Sequence, residues 1–374
     1  MKKNGSCLLA APFGGSGSAL YRAETKGAPQ HPRTRCSRMT TTLVIGLSAV
    51  VIAMREGEGS VLTVRPRDSV TERTSTLEGL PFGPFDPDGH RTFELALREF
   101  VTRQTRFELG YVEQLYTFGD KGRDAPRADV GAGAARVISV GYLALAPSAV
   151  DTHAPDTTWS PWSRFFPWED WRNGRPAIID ETIKPALEAW SASSPSLLSR
   201  VRLLFALNGA QWNEERVLER YELLYEAGLA PEAARDRNRA RGLAAAEPRA
   251  VIPALGEPMI SDHRRILATG LGRLRGKLKY RPVVFELMSE IFTLSALQKT
   301  VEAIAGVPLH KQNFRRVVER TGLVEGVGRM DAETGGRPAE LFRFRRELLP
   351  ARPAPGLSLP LARDMAQSAS EEAR

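Results

Sequence analysis

Six side chains that can recognise bases or phosphates lie within ten residues near the carboxyl end of the chain. They are Lys311, Gln312, Asn313, Arg315, Arg316 and Arg320. Glutamine and asparagine can form paired hydrogen bonds with adenine, and arginine can form them with guanine. Lysine and arginine also bind phosphate oxygens, which hold a protein on a duplex without reading its sequence. The segment therefore has the chemistry of a surface that binds double-stranded DNA.

These side chains are predicted to lie on an amphipathic helix over Leu309–Thr321. Its apolar side consists of Phe314, Val317 and Val318. At ~100° per residue, Gln312, Arg316 and Glu319 point furthest from that side. We expect Gln312 and Arg316 to contact base edges, with Asn313 as a third candidate.

The remaining cations are predicted to bind the DNA backbone. Lys311, Arg315 and Arg320 would hold phosphates, and Arg337 would approach the minor groove or the backbone. Glu319 lies on the same face and repels phosphate unless it pairs with Arg315 or Arg316.

The elements around this helix have the order of a winged helix-turn-helix. An earlier helix carries an apolar row at helical spacing, Leu294, Leu297, Val301 and Ile304. A Gly-Val-Pro tripeptide starting at Gly306 ends it, because glycine tolerates left-handed backbone and proline lacks the amide hydrogen. The second helix ends at Gly322. Leu323–Met330 and Leu341–Arg345 are predicted to form a two-stranded ribbon, joined by the loop Asp331–Pro338.

Positive charge is concentrated in the same region. Residues 261–350 hold 17 basic and 10 acidic side chains, whereas residues 42–150 and 151–260 have net charges of −2 and −3. A charged helix face is by itself usually just solvated. Basic charge confined to one small region is instead expected of a protein that binds the phosphate backbone. The charge distribution therefore favours DNA binding over a merely solvated face.

Length and composition are those of a globular protein with two or three domains. The chain has 374 residues, of which 42% are hydrophobic and 26% charged, and its net charge is +8. Its two cysteines, Cys7 and Cys36, precede the first predicted strand. We therefore expect no disulfide or cysteine-bound metal in the folded part, a reducing cytoplasm as its location, and no membrane partner.

The apolar run Leu43–Met54 is predicted to be a buried strand, followed by a second strand over Ser60–Arg65. It follows a basic tail as a signal peptide would, but it is shorter than the ~20 residues of a membrane span. It also lacks a small-residue cleavage site. Met39 directly precedes it, so we hypothesise that translation begins there. A peptide from residues 1–38, detected in the native protein by mass spectrometry, would refute this hypothesis.

A loop over Leu80–His90 and one helix separate these strands from two more. The apolar side of the helix carries Phe93, Ala96, Leu97, Phe100, Gln104 and Phe107. The later strands are predicted over Tyr111–Phe118 and Arg136–Leu145, with the polar loop Gly119–Ala135 between them. Strands around a single helix predict an α+β or α/β/α arrangement.

This order of elements resembles a Nudix domain. The resemblance rests on a Leu-Pro-x-Gly loop at Leu80, a helix carrying Arg98-Glu99, and the strand from Tyr111 to Asp120. It implies an α+β fold, with a Nudix-like α/β/α sandwich followed by the winged helix-turn-helix. Nudix enzymes hydrolyse nucleoside diphosphates linked to another group, and a Glu-rich helix holds their divalent metal.

The metal-binding acids of that family are missing here. In register with the Arg-Glu pair, the two glutamate positions hold Thr102 and Arg103, and the upstream glutamate position holds His90. A shift by one residue places Arg103 and Gln104 there instead. Mg²⁺ needs oxygen ligands, and an arginine repels it. We therefore predict no catalytic residue, metal or cofactor, and a domain that senses a nucleotide and is not an enzyme. An active pyrophosphatase acting on ADP-ribose-like nucleotides is the alternative.

Three further segments leave alternatives open. Residues 159–171 hold four of the six tryptophans, which could stack an adenine or pack in a core, and we favour packing. Helices are predicted over residues 198–229 and a linker over Ala230–Glu257, to which we assign no role. A helix over Asp262–Leu278 carries a leucine row that either forms a dimer contact or packs on the DNA-binding domain. The row is Leu267, Leu271, Leu274 and Leu278.

The whole pattern resembles the Nudix-related transcriptional regulators of NAD metabolism, in their proteobacterial branch. Besides the Nudix-like region, the resemblance rests on Asp262-His263-Arg264-Arg265, Phe292-Thr293-Leu294, Asn313-Phe314-Arg315-Arg316 and Gly336-Arg337-Pro338. It implies a repressor of NAD biosynthesis or salvage genes, tuned by ADP-ribose, NAD or ATP. We expect a homodimer on an operator, since palindromic sites are read by two-fold symmetric proteins. An interaction module whose winged domain binds protein is a weaker reading.

The corresponding domain boundaries follow from these segments. We predict a disordered tail over residues 1–41, a degenerate Nudix-like domain over 42–190, and a helical insertion and linker over 191–260. The winged helix-turn-helix domain covers residues 261–350, and a second disordered tail covers 351–374.

Overall fold

The computed structural model describes residues 43–66, 77–120, 136–147, 154–241, 255–331 and 338–348. These residues belong to one compact unit. The predicted tails, Met39, most of the loop 119–135 and Arg337 lie outside the described residues.

The amino-terminal half of the described chain forms a mixed sheet with one helix. Its elements are β1 (Leu43–Arg55), β2 (Glu58–Val64), β3 (Phe82–Pro84), α1 (Phe93–Thr105), β4 (Tyr111–Phe118), β5 (Arg136–Leu145) and β6 (Thr157–Pro161). The strand order is β4-β5-β1-β2-β6, with β3 also paired to β1. Strands β1 and β5 are parallel, and the other pairs are antiparallel. The four strands predicted for this region are confirmed.

Strand β3 lies where the sequence predicted only a loop. It is three residues long, too short to show the alternation that identifies a strand. It is held from the side by Gln104 of α1, whose amide accepts from the Phe82 N–H at 3.2 Å and donates to the Phe82 carbonyl at 2.6 Å.

The sheet is covered on both faces. Helix α1 packs on one face, where Ala96, Leu97 and Phe100 join a buried cluster with residues of β1 and β5. The other face belongs to a larger cluster that includes Val50 and Ile52 of β1 and continues through the rest of the described chain. The predicted mixed α/β fold is therefore confirmed.

A helical region follows the sheet. Its helices are α2 (Lys184–Ser191), α3 (Pro195–Leu204), α4 (Val217–Glu226), α5 (Pro231–Ala240) and α6 (His263–Tyr280), and a π-helical turn over Ile179–Ile183 leads into α2. Helix α5 corrects the linker predicted over Ala230–Glu257. It shows no clear apolar row because its larger buried side chains, Glu232, Arg235 and Asp236, are polar and paired. Asp236 accepts from the Tyr225 hydroxyl at 3.0 Å, and Arg235 donates to the carbonyls of Met259 and Ser261.

The carboxyl-terminal elements form a winged helix. They are β7 (Ile291–Thr293), α7 (Leu294–Ala305), α8 (Lys311–Thr321), β8 (Val324–Asp331) and β9 (Ala339–Phe344). The sheet has the order β7-β9-β8, so the predicted two-stranded ribbon has a third strand. Helix α8 begins at Lys311 rather than at Leu309, because the extended backbone of His310 precedes its first turn.

Two of the open alternatives are decided by burial. The leucine row of α6 is buried in the larger cluster, so it packs within the chain and is not available as a dimer contact. Trp162, Trp168 and Trp171 are also buried there, which confirms packing rather than an open aromatic box. Among the described residues, no helix is long and apolar enough to cross a membrane.

We expect stability to fall as the pH drops from about 6.5 towards 5, because of His263. Its Nδ1 accepts from the Leu80 N–H at 2.9 Å, so a proton there would oppose that donor. Burial, with a smaller contribution from Arg235, lowers the pKa of His263 to about 3. The unfolded chain therefore takes up the proton first, which costs about 2 kcal/mol of stability at pH 5.

Urea unfolding between pH 5 and 7 measures this loss. The variant His263→Gln keeps an acceptor for the Leu80 N–H but cannot titrate, so its stability is expected to vary less over that range. Equal pH dependence in the two proteins would contradict the assignment.

Candidate nucleic-acid interface

Helix α7 is delimited at both ends by its sequence. The Thr293 hydroxyl accepts from the Ala296 N–H at 3.1 Å and caps the first turn. Gly306 ends the helix in the left-handed region, with φ of 71°, and its N–H donates to the Glu302 carbonyl. Leu297, Val301 and Ile304 face the core, as the apolar row predicted.

Two polar side chains of α7 hold the turn that leads to α8. The Gln298 amide donates to the Glu302 carboxylate at 2.9 Å and to the Leu309 carbonyl at 3.0 Å. The same carboxylate accepts from the Leu309 N–H at 2.9 Å. These bonds fix where α8 starts. Sequence reasoning missed them, because a glutamine and a glutamate at helical spacing look like an ordinary solvated pair.

Helix α8 presents the predicted recognition side chains to solvent. Phe314 and Val318 are buried, and they fix the rotation of the helix about its axis. All seven polar side chains of the face are exposed: Lys311, Gln312, Asn313, Arg315, Arg316, Glu319 and Arg320. The structure thus brings six of the seven predicted DNA-binding residues together on one face.

The cations of this face are unpaired within the described part of the chain. Lys311, Arg315, Arg316 and Arg320 form no ion pair there, and Glu319 does not pair with either neighbouring arginine. Within the part of the chain that the structure describes, α8 therefore carries four unpaired cations and one unpaired anion. Such a surface attracts a polyanion without first having to break internal salt bridges.

The wing consists of β8, β9 and the residues directly after β9. Some of its arginines form ion pairs, and one does not. Arg343 and Arg345 pair with Glu325 across the strands, at 2.6 and 3.6 Å, and Arg346 pairs with Glu286 at 3.0 Å. Arg329 of β8 is exposed and has no ion pair among the described residues. Sequence reasoning did not single out Arg329, since one arginine in a strand carries no pattern.

Aromatic contacts fasten the wing to the chain before it. The Phe344 ring stacks on Phe285, with centroids 4.1 Å apart and planes 10° apart, and Phe285 lies 5.8 Å from Phe292. Phe285 precedes β7, so the wing and the segment entering α7 form one packed body.

The side chains at the positions where the resemblance implies metal ligands, in α1 and just before it, make other contacts. Thr102 donates to the Phe107 carbonyl, and Gln104 holds β3. Arg103 and His90 each lie near Glu99, at 3.6 and 3.5 Å. Among the described residues there is no group of three or more histidine, cysteine, aspartate or glutamate side chains able to hold a metal. The side chains at this site do not fit a hard divalent cation.

The geometry of α7, α8 and the wing agrees with a family match over the same residues. Residues 284–344 match the NrtR DNA-binding winged helix domain family. These residues form a winged helix domain that is similar to that family. The predicted winged helix-turn-helix, and the resemblance to the Nudix-related regulators over this part of the chain, are confirmed.

The match to a curated relative is local. This chain is 37% identical over 91 residues to the "ADPR responsive transcriptional repressor NtrR" of Acinetobacter baylyi. The matched residues are 24% of this chain and 36% of that relative.

Solved structures are similar over more of the chain, at lower identity. The NrtR of Shewanella oneidensis complexed with a 27mer DNA is 21% identical, with a TM-score of 0.46, covering 80% of this chain and 93% of that one. A MutT/nudix family protein from Enterococcus faecalis is 14% identical, also with a TM-score of 0.46, covering 86% and 90%.

Proposed function

We propose that this protein is a DNA-binding transcriptional regulator whose helix α8 enters the major groove. The observation that carries the proposal is the exposed face of α8, where four cations and two amides lie free of internal partners on an NrtR-type domain. Helix-turn-helix proteins read bases with the amino-terminal part of their second helix. Gln312 and Asn313 occupy that part of α8.

The proposed division of labour follows from position. Gln312 and Arg316 are one helical turn apart on the face opposite Phe314, so both can reach base edges in one groove. Lys311, Arg315 and Arg320 flank them and would bind phosphates, with Arg337 and Arg329 of the wing approaching the backbone or the minor groove.

We propose that the region before the winged helix senses a nucleotide and that the regulator is a repressor of NAD biosynthesis or salvage genes. The curated relative is named an ADPR responsive repressor, which supports ADP-ribose as the first effector to test. NAD and ATP are the other candidates. The domain boundaries at residues 42, 191, 261 and 351, a homodimer on the operator and a cytoplasmic location belong to the same proposal.

Fluorescence anisotropy tests the proposal directly. The probe is a labelled duplex from the region upstream of the protein's own operon, and a scrambled duplex of the same length is the control. We expect the specific duplex to bind at least about a thousandfold more tightly, and ADP-ribose to change that affinity. Equal binding of both duplexes would refute sequence-specific recognition.

We also expect no hydrolysis of ADP-ribose in the presence of Mg²⁺ or Mn²⁺. The reason is that Thr102 and Arg103 stand where the resemblance requires metal-binding acids. Release of AMP and ribose 5-phosphate, followed by chromatography, is the measurement. Turnover within the usual enzymatic range of about 1–10³ s⁻¹ would favour the pyrophosphatase reading instead.

A further inference from the structure

A buried carboxylate lies between two buried arginines in the centre of the molecule. Glu169 is 1% exposed, and Arg220 of α4 and Arg275 of α6 are 0% and 1% exposed. Arg220 binds the carboxylate with two nitrogens, Nε at 2.5 Å and Nη2 at 2.8 Å. Arg275 Nη1 donates to the same carboxylate. We call these three residues the Glu169 cluster.

The remaining donors of the two arginines reach other segments. Arg220 Nη1 donates to the Asn213 carbonyl at 2.8 Å, and its guanidinium lies 3.8 Å from the centre of the Trp212 ring. Arg275 Nη1 donates to the Glu214 carbonyl at 2.9 Å, and its Nε donates to the Ile304 carbonyl at 2.9 Å. Ile304 is in the last turn of α7, so the cluster is bonded directly to the helix-turn-helix.

The turn after α7 also rests on the backbone of the Glu169 segment. The Trp171 N–H donates to the Gly306 carbonyl at 2.6 Å. A Cβ atom on Gly306 would lie 2.3 Å from the Glu169 carbonyl oxygen. The start of the turn therefore touches the residue whose side chain joins α4 to α6.

The charges of the Glu169 cluster favour one relative orientation of the segments that it joins. Burial by itself would raise the pKa of Glu169, but Arg220 and Arg275 outweigh it and hold the pKa below its ordinary value. The carboxylate is therefore ionised. If the segments rotated, the hydrogen bonds to the buried carboxylate would break and leave its charge uncompensated, which costs free energy. Apolar contacts tolerate small rotations better.

We infer that the Glu169 cluster is a positioning device that sets the orientation of the helix-turn-helix relative to the six-stranded sheet. This inference rests on the proposed DNA-binding function. It gives the segment 191–260 a role, because α4 supplies Arg220 to the cluster. Glu169, Arg220 and Arg275 act through α7 and the turn, and none of them is on the exposed face of α8.

A second buried ion pair provides a matched control. Arg264 and Glu232 are 0% and 1% exposed and lie 3.4 Å apart. Arg264 donates to the carbonyls of Phe165 and Leu255, not to α7 or its turn. Glu169→Gln and Glu232→Gln therefore each remove one buried carboxylate charge. Only Glu169 belongs to a cluster that is hydrogen-bonded to α7.

The experiment compares these variants in the full chain by three measurements. Thermal unfolding reports folding, anisotropy reports affinity for the operator duplex, and electron–electron double resonance reports orientation. Spin labels are placed at Leu95→Cys on α1 and Met330→Cys on the wing, which are 52% and 59% exposed. Cys7 and Cys36 are changed to serine in every protein so that only the intended positions are labelled.

We expect Glu169→Gln to broaden or shift the distance distribution between the labels, whereas Glu232→Gln leaves it unchanged. DNA affinity should fall about tenfold, as it would if about a tenth of the molecules kept the competent orientation. A Glu169→Gln protein with the distances and affinity of the Glu232→Gln protein would overturn the inference.

A variant with the whole cluster made apolar covers the case in which Glu169→Gln does not fold. Replacing Glu169, Arg220 and Arg275 together with methionine removes all three charges, a change that often preserves stability. We expect that protein to fold and still to show the broadened distances. Unchanged distances and affinity would refute the positioning role. If the unsubstituted chain bound no DNA, the proposed function would fail, while the distance measurement would still decide the inference.

Discussion

Changing Gly306 to alanine is expected to destabilise the protein by about 3–5 kcal/mol and to abolish DNA binding under ordinary conditions. The glycine has φ of 71°, where an alanine is strained by about 1–2 kcal/mol. The added Cβ would also meet the Glu169 carbonyl oxygen at 2.3 Å. This neighbour is backbone, so it cannot move aside as a flexible side chain would, and α7 must separate from the Glu169 segment.

Gly322 provides the control for this change. It ends α8 in the same left-handed conformation, with φ of 62°, and no atom of a described residue lies within 4 Å of the position of its Cβ. Gly322→Ala should therefore show only the backbone strain, about 1–2 kcal/mol. Denaturant unfolding of both variants separates strain from contact. Equal losses would mean that the Glu169 segment yields to the alanine and does not support the turn rigidly.

Replacing Arg316 with alanine is expected to weaken operator binding by about 1–3 kcal/mol, or roughly fivefold to 150-fold. The side chain is exposed and forms no ion pair with any described residue, so its removal should leave folding unchanged. The loss should also relax the preference at one base pair, because a base contact discriminates and a phosphate contact does not. Competition with duplexes carrying single base changes measures both effects.

Lys311→Ala is the matched comparison on the same helix. It should weaken binding similarly for all sequences and lower the slope of log affinity against log salt by about 1. If Arg316→Ala behaved in this way and left the base preference intact, Arg316 would be a phosphate contact. The assignment of Gln312 and Arg316 to bases would then be wrong.

The recognition helix could be predicted from sequence because its signal is local. Phe314 and Val318 fix the buried side, and every other position follows from the 100° rotation per residue. Gly306 and Gly322 mark the ends of α7 and α8 for a reason that is also local, the left-handed conformation. These features need no knowledge of the rest of the fold.

Features that depend on distant partners could not be predicted in this way. Helix α5 shows no apolar row because Glu232, Arg235 and Asp236 are buried by pairing with residues elsewhere in the chain. Glu169 and Arg220 are 51 residues apart, and no spacing rule connects them. Strand β7 has three residues and is visible only once β9 pairs with it.

The tryptophan-rich segment could be predicted from the sequence only in part. Its burial could be expected from the large apolar area of its side chains. Its position beneath the helix-turn-helix could not, because that depends on the hydrogen bond from the Trp171 N–H to the Gly306 carbonyl.

The continuous hydrophobic cluster limits whether the winged helix can be moved into another protein. One cluster includes Ile52 of the first strand, Leu271 of α6 and Phe314 of α8. A fragment beginning at the winged helix would lack α6 and the tryptophan segment. The apolar side chains of the winged helix that pack on them would then be exposed to water. A chimaeric protein built on this scaffold should therefore keep the six-stranded sheet, the tryptophan segment, α6 and the winged helix together.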